Sequence, residues 1–249
     1  PIELRRVAAR YLRGIVAASD VPLENTESVI TSVEVYLRCR HLSEQSLVDG
    51  SGQRPRYTLR TLCRALSAAR NLITQQKLSI KRGLLEGFEL GFEGSLDQNS
   101  KETLRKLISS TLSKDLSKKE LDHPGKRPGG KNCDENAYEL CKPFWLKTGS
   151  LEKVDWSDPN SRSIRSRFVL TPSMEINLRR LSQAVAAGPW PVLLEGPTSA
   201  GKTTMIEYLA ARCGHRCVRI NNHEHTDVQE YTGSYASDSN GKLCFQEGI

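Results

Sequence analysis

Gly196-Pro197-Thr198-Ser199-Ala200-Gly201-Lys202-Thr203 matches the pattern G-x-x-x-x-G-K-[ST] at every fixed position. Before it lies a short apolar run, Pro191-Val192-Leu193-Leu194-Glu195, and after it a helical pattern from about Lys202 to Cys213. Strand, glycine-rich turn and helix are the setting in which such a loop works. The glycines let the backbone curve so that successive N–H groups point inward at phosphate oxygens. The helix that starts there adds the positive end of its dipole. Lys202 would reach the β- and γ-phosphates as a point charge, Thr203 would offer its hydroxyl to Mg2+, and Thr204 extends the helix start. A chance match arises in roughly one chain in a hundred of this length. Residues 196–204 are therefore read as a cradle for ATP with Mg2+. A second run, Cys217-Val218-Arg219-Ile220-Asn221, completes a βαβ unit, and the expected fold here is an α/β P-loop core.

Upstream of this unit, Thr171-Pro172 is an N-cap and first-turn pair, and Met174, Leu178, Leu181 and Val185 define a helix stripe that stops at Gly188-Pro189. Phe144-Trp145-Leu146 and Phe168-Val169-Leu170 are strand candidates, read as a hairpin. Downstream, Asn221 to Tyr231 reads as a polar loop entering a short helix, with Thr226 and Gln229 as a capping box.

The first hundred residues carry a different pattern. Leu4, Val7, Ala8, Tyr11, Leu12 and Ile15 form one helical stripe. Asn25 or Thr26 caps a second helix with Ile30, Val33 and Leu37 on one face and Val29 and Tyr36 beside it. A loop at Asp49–Pro55 separates it from a third helix starting near Thr58, with Leu59, Leu62, Cys63, Leu66, Ala69 and Ile73 facing a core. Ile80 to Phe92 forms a fourth, and Leu104 to Leu116 a charged fifth. The resulting organisation is an all-α unit over 1–112, a basic flexible linker over 113–143, and over 144–249 the opening part of an α/β module.

The 249 residues hold 36 Lys and Arg against 29 Asp and Glu, a net charge of +7. Residues 101–132 contribute nine basic groups and four acidic ones. Such a stretch serves either as a solvated linker or as a contact for RNA. No apolar run approaches the roughly 18 residues that a membrane helix needs, and no signal peptide is visible. Seven cysteines without a C-x-x-C pair indicate neither a zinc ribbon nor a disulfide framework. Cys213, His215, Cys217, His223 and His225 cluster in sequence, but Cys213 closing a helix and Cys217 opening a buried strand is the simpler reading.

Hydrolysis needs more than a cradle: an acid at the end of a further apolar strand must hold Mg2+, and another group must orient water. No apolar run ending in Asp-Glu follows Lys202. The expectation is a piece of a longer chain that binds ATP without turning it over. A small-molecule kinase would need an arginine-rich lid, for which only Arg212, Arg216 and Arg219 are available, and a GTPase would need N-K-x-D, which does not occur.

Pro191 to Gly248, including the loop at 196–203, Val218 to Asp227 and Gly241-Lys242-Leu243, resembles the midasin family of AAA+ ATPases. Leu47-Val48-Asp49-Gly50 and Arg54 to Leu66 resemble the helical lid that closes a module of that family. The resemblance implies that the all-α unit is the lid of one AAA+ module and that the P-loop opens the next. It implies that Arg60 matches a sensor-2 arginine, directed at the preceding module's nucleotide; its alternative is a surface arginine. It further implies neighbouring AAA+ modules in the same chain and pre-60S ribosomal particles with their assembly factors as partners. The implied role is ATP-driven remodelling of those particles, in the nucleolus and nucleoplasm.

Overall fold

The computed structural model describes residues 2–16, 21–114, 116–129, 134, 136–154, 169–222, 227–237 and 243–248. They fall into two compact units, Pro1–Arg216 and Cys217–Ile249.

In the first unit, helices α1 (Ile2–Leu12), α2 (Glu27–Gln45), α3 (Leu59–Gln75), α4 (Ile80–Phe92) and α5 (Gln98–Leu112) enclose one core. Their starts follow local chemistry. The Ser79 hydroxyl accepts from the Arg82 N–H and the Asp97 carboxylate from the Ser100 N–H, satisfying donors that lack a helical partner. Ala8, Leu12, Val33, Tyr36, Leu62, Leu66, Phe88, Leu104 and Ile108 fill the interior. Phe88 stacks on Phe92 at 5.4 Å, and the Tyr57 hydroxyl donates to the Phe92 carbonyl at 2.7 Å. Two expected core positions differ. Leu37 and Leu59 are exposed: α2 turns Val29, Val33 and Tyr36 inward, and Leu59 sits on the first turn of α3, before the helix enters the bundle.

α3 and α4 pack closely. Gly83, Gly87 and Gly91 repeat at every fourth residue and so line one face of α4. A methyl group on Gly87 would stand 2.5 Å from the Ala65 carbonyl oxygen and 2.7 Å from Ala69 Cβ. One on Gly91 would stand 2.8 Å from Ala65 Cβ. Small residues on both helices let the backbones approach.

α3 also has a second buried face. Ala68 and Leu72, with Leu78, meet a hairpin and two later helices in a separate core. The hairpin pairs β1 (Tyr138–Cys141) with β2 (Phe144–Lys147) antiparallel, Tyr138 opposite Lys147 and Cys141 opposite Phe144. This corrects the expected pairing of Phe144–Leu146 with 168–170: a nearer partner is available across a two-residue turn, Val169 and Leu170 lie in no strand, and Phe168 falls outside the described residues. Helices α7 (Pro172–Ala187) and α8 (Lys202–Cys213) complete this core through Leu178, Leu181, Met205, Tyr208 and Leu209. The Thr171 hydroxyl accepts from the Met174 N–H at 3.3 Å, as the Thr-Pro pair predicts.

The stretch expected as an unstructured connection contains a helix, α6 (Lys118–Asp122), capped reciprocally by Ser117 and Glu120. Buried Arg82 donates to the carbonyls of Leu121 and His123. Trp145 Nε1 donates to the Gly125 carbonyl at 2.8 Å, while Gln76 exchanges two 2.8 Å hydrogen bonds with the Trp145 backbone.

In the second unit, α9 (Val228–Thr232) leads into a hairpin of β3 (Ser234–Ser237) and β4 (Leu243–Gln246). Tyr235 and Phe245 face each other edge-on at 5.3 Å. Asp227 caps α9, accepting from the Gln229 N–H; Thr226 of the expected capping box lies outside the described residues, as do His223 and His225.

The two apolar runs expected as buried parallel strands are in no sheet. Among the described residues the sheets are the two hairpins alone. Leu193 is 80% exposed and Val218 52%, and Cys217 is exposed rather than buried. A parallel strand is buried by strands on its edges and helices on its faces; where no such sheet surrounds it, the same apolar sequence stays largely exposed.

Candidate nucleotide-binding site

The loop before α8 takes the conformation its glycines allow. Gly201, at the helix N-cap, has φ 76° and ψ 15°, the left-handed region in which a side chain is strained. Ser199 also has a positive φ, 62°. Between them the chain turns sharply, with the Ala200 N–H reaching the Pro197 carbonyl at 3.4 Å. The loop closes around its own lysine: Lys202 Nζ donates to the carbonyls of Gly196 and Pro197 at 2.8 and 2.7 Å. The ammonium thus rests on the first two carbonyls of the 196–201 loop. The N–H groups of Lys202, Thr203 and Thr204 open α8 without an intrahelical acceptor. Gly214, left-handed at φ 71°, stops the helix.

Gly196 to Gly201 thus form the turn, and Lys202, Thr203 and Thr204 the first turn of α8. Donors at a helix start, a captive ammonium and an adjacent hydroxyl form a set that fits a polyphosphate with a divalent cation. Among the described residues no cluster of His, Cys, Asp and Glu could hold a metal alone.

Tertiary structure adds groups that the motif does not contain. A cavity of about 790 Å3 is lined by Gly196, Pro197 and Lys202 on one side and by α4, α5 and α7 on the others. Its far wall is a charged network. Glu86 is 1% exposed, and its carboxylate accepts from Arg179 at 3.0 Å and from Gln183 at 2.6 Å, with Arg82 at 3.8 Å. Burial pushes this carboxyl up, against the pull of Arg179 and Arg82. Glu93 accepts from Arg105 at 3.2 and 2.6 Å and from Arg180 at 3.3 Å. Arg179 and Arg180 belong to α7, the helix before the loop, so the all-α bundle and the segment carrying the 196–204 loop are joined by ion pairs whose carboxylates are buried and whose guanidinium groups are partly exposed. The only sequence signal was the carboxylate spacing on α4, which looks like an ordinary solvated face until α7 covers it.

Arg60 is exposed on the first turn of α3 and is not among the residues lining this cavity. Of the basic groups in 101–132, Arg105 is held by Glu93, and Arg127 lies over the Trp145 ring at 5.8 Å. Cys213 does close α8, and its sulfur lies 3.8 Å from Cys141 in the second core; their thiol–thiol hydrogen bond and burial push the Cys141 thiol up.

Residues 3–115 match the family described as "Midasin AAA lid domain". Midasin of Dictyostelium discoideum is 38% identical over 224 residues, which cover 87% of this chain and 4% of that protein. Midasin of Giardia intestinalis is 34% identical over 261 residues, covering 99% of this chain and 5% of the relative. The chain thus spans about a twentieth of the length of these curated relatives.

Proposed function

This chain belongs to the midasin family of AAA+ proteins, with its AAA lid at residues 3–115, and from that premise we propose that residues 196–204 are the ATP cradle of the module following the lid. The observation that carries this reading is the closed loop itself, with Gly201 in the left-handed region and Lys202 Nζ drawn onto two loop carbonyls. Lys202 would meet the β- and γ-phosphates, Thr203 would offer its hydroxyl to Mg2+, and the N–H groups from Ser199 to Thr204 would surround the phosphate oxygens. The magnesium neutralises phosphate charge when bound. The α/β P-loop core, with strands at 191–195 and 217–221, forms in the longer protein, where further strands cover those apolar runs.

In that protein the site contributes to an ATPase ring whose hydrolysis remodels pre-60S ribosomal particles and releases assembly factors, in the nucleolus and nucleoplasm. Neighbouring AAA+ modules complete it, and Arg60 acts as sensor 2 for the module that precedes the lid. The chain by itself binds Mg-ATP without hydrolysis, because no acid-ending strand follows the loop in its sequence.

The test is a Mg-ATP titration of this chain beside Lys202→Ala, with phosphate release followed in the same samples. Binding that the substitution abolishes, without turnover, is the expected result. Binding unaffected by Lys202→Ala would remove the loop from the nucleotide site, and Lys202-dependent turnover would refute the absence of catalytic acids.

A further inference from the structure

The cavity with the phosphate loop on one side has a row of carboxylates on the other. α4 carries Glu86 and Glu89, with Glu93 at its C-cap, spaced i, i+3 and i+7 along one face, and all three line the same cavity as Lys202. The outer two are held, Glu86 by Arg179 and Gln183, Glu93 by Arg105 and Arg180. Glu89, between them, is not held in this way. Its ion pair is with Arg105 Nε at 4.0 Å, beyond hydrogen-bond reach, and that guanidinium is already bonded to Glu93. The Glu89 side chain is 17% exposed. Burial, reinforced by the neighbouring charges of Glu86 and Glu93, pushes its carboxyl up to about 7.

We propose that Glu89 is a proton-linked group of the nucleotide site: when triphosphate charge enters the cavity beside Lys202, the Glu89 carboxyl takes up a proton. The proposal rests on the reading of residues 196–204 as that site. The charged groups around Glu89 set its direction. Glu86 and Glu93 on its own helix repel its charge. Arg105 and Lys101 from α5, with Arg179 and Arg180 from α7, attract it, but three of these four already serve the outer carboxylates. Asp122 and Glu195, on the same cavity, add further negative charge. Additional phosphate charge disfavours every carboxylate there. It acts most on Glu89, whose ion pair with Arg105 lies beyond hydrogen-bond distance. By linkage, a ligand that promotes protonation is itself bound more tightly as pH falls.

The experiment is calorimetric titration of the chain with Mg-ATP in two buffers of different ionisation enthalpy, repeated from pH 6 to pH 8.5, for wild type and Glu89→Gln. Wild type should take up as much as about half a proton per ATP at pH 7, with uptake largest at higher pH, midway between the free and the ligand-raised titration midpoints. Glu89→Gln should still bind, without this uptake and with a flatter dependence of affinity on pH. Equal proton counts in the two proteins would overturn the proposal while leaving the nucleotide reading intact. So would a flat uptake profile in wild type, a readout that needs no variant. Absence of any Mg-ATP heat in wild type would refute the nucleotide reading, and this proposal with it.

Discussion

Replacing Gly87 by alanine adds a carbon 2.5 Å from the Ala65 carbonyl oxygen and 2.7 Å from both Ala69 Cβ and the Ala69 backbone nitrogen. A carbon and a carbonyl oxygen normally sit at about 3.3 Å or more, so α3 and α4 must part by the better part of an ångström. Nothing local can yield, because two of the three contacted atoms are backbone. Separation by that much forfeits a quarter to a half of the dispersion attraction along the interface. It would loosen the contacts of Gly91 with Ala65 as well. Overpacking of this kind costs about 3 kcal/mol. The helix propensity of alanine over glycine returns about 1 kcal/mol. The net loss of about 2 kcal/mol lowers Tm by about 4–8 °C in a unit of this size. Gly94→Ala is the control: a methyl there meets nothing within 4 Å, and its stability should be unchanged within about 0.5 kcal/mol. Urea and thermal unfolding followed by circular dichroism read both. Gly87→Ala as stable as Gly94→Ala would refute the argument that backbone approach sets the α3–α4 interface.

Glu86→Ala leaves Arg82 and Arg179 beside a buried site without their carboxylate and should destabilise by about 3–5 kcal/mol; an unchanged urea midpoint would show that this network is not buried in solution. Glu89 gives a pH-dependent result. Its carboxyl is raised from 4.5 to about 7 in the folded chain, so folding favours the protonated form, and stability falls as pH rises from about 4.5 through 7. The full difference is about 3 kcal/mol. Glu89→Gln should therefore gain on wild type by about that amount between pH 4 and pH 8, and a constant offset across the range would contradict the assignment. Trp145→Phe loses the hydrogen bond to the Gly125 carbonyl and weakens the Arg127 contact; about 1–2 kcal/mol of stability should go with them, as read by the urea midpoint.

Much of the helical unit could be read from the chain alone. α4 spans Ile80 to Phe92 as its stripe predicts, Thr171-Pro172 starts α7 and Cys213 ends α8 as read, because capping is a contest between neighbouring groups. The turn at 196–201 was legible as a turn, since its left-handed Gly201 and the Lys202 contact to the Gly196 carbonyl arise within seven residues of one another. What could not be read depends on partners far along the chain. α3 was expected to bury one stripe and buries two, because Ala68 and Leu72 meet a hairpin and two helices that lie far later in the chain. The glycines of α4 read as weak helix formers until Ala65 and Ala69 lie against them. The carboxylates Glu86, Glu89 and Glu93 have the spacing of a solvated face, and only the arrival of Arg179 and Arg180 turns that face into a buried wall of the loop cavity. In the other direction, the apolar runs at 191–195 and 217–221 show strand character in sequence yet lie in no sheet here. A helix carries its hydrogen bonds within itself, whereas a strand exists only where another strand supplies them. Local chemistry therefore determined the helices, their caps and the turn at 196–201, and tertiary structure alone decided which faces are buried, which charges meet, and where a sheet forms.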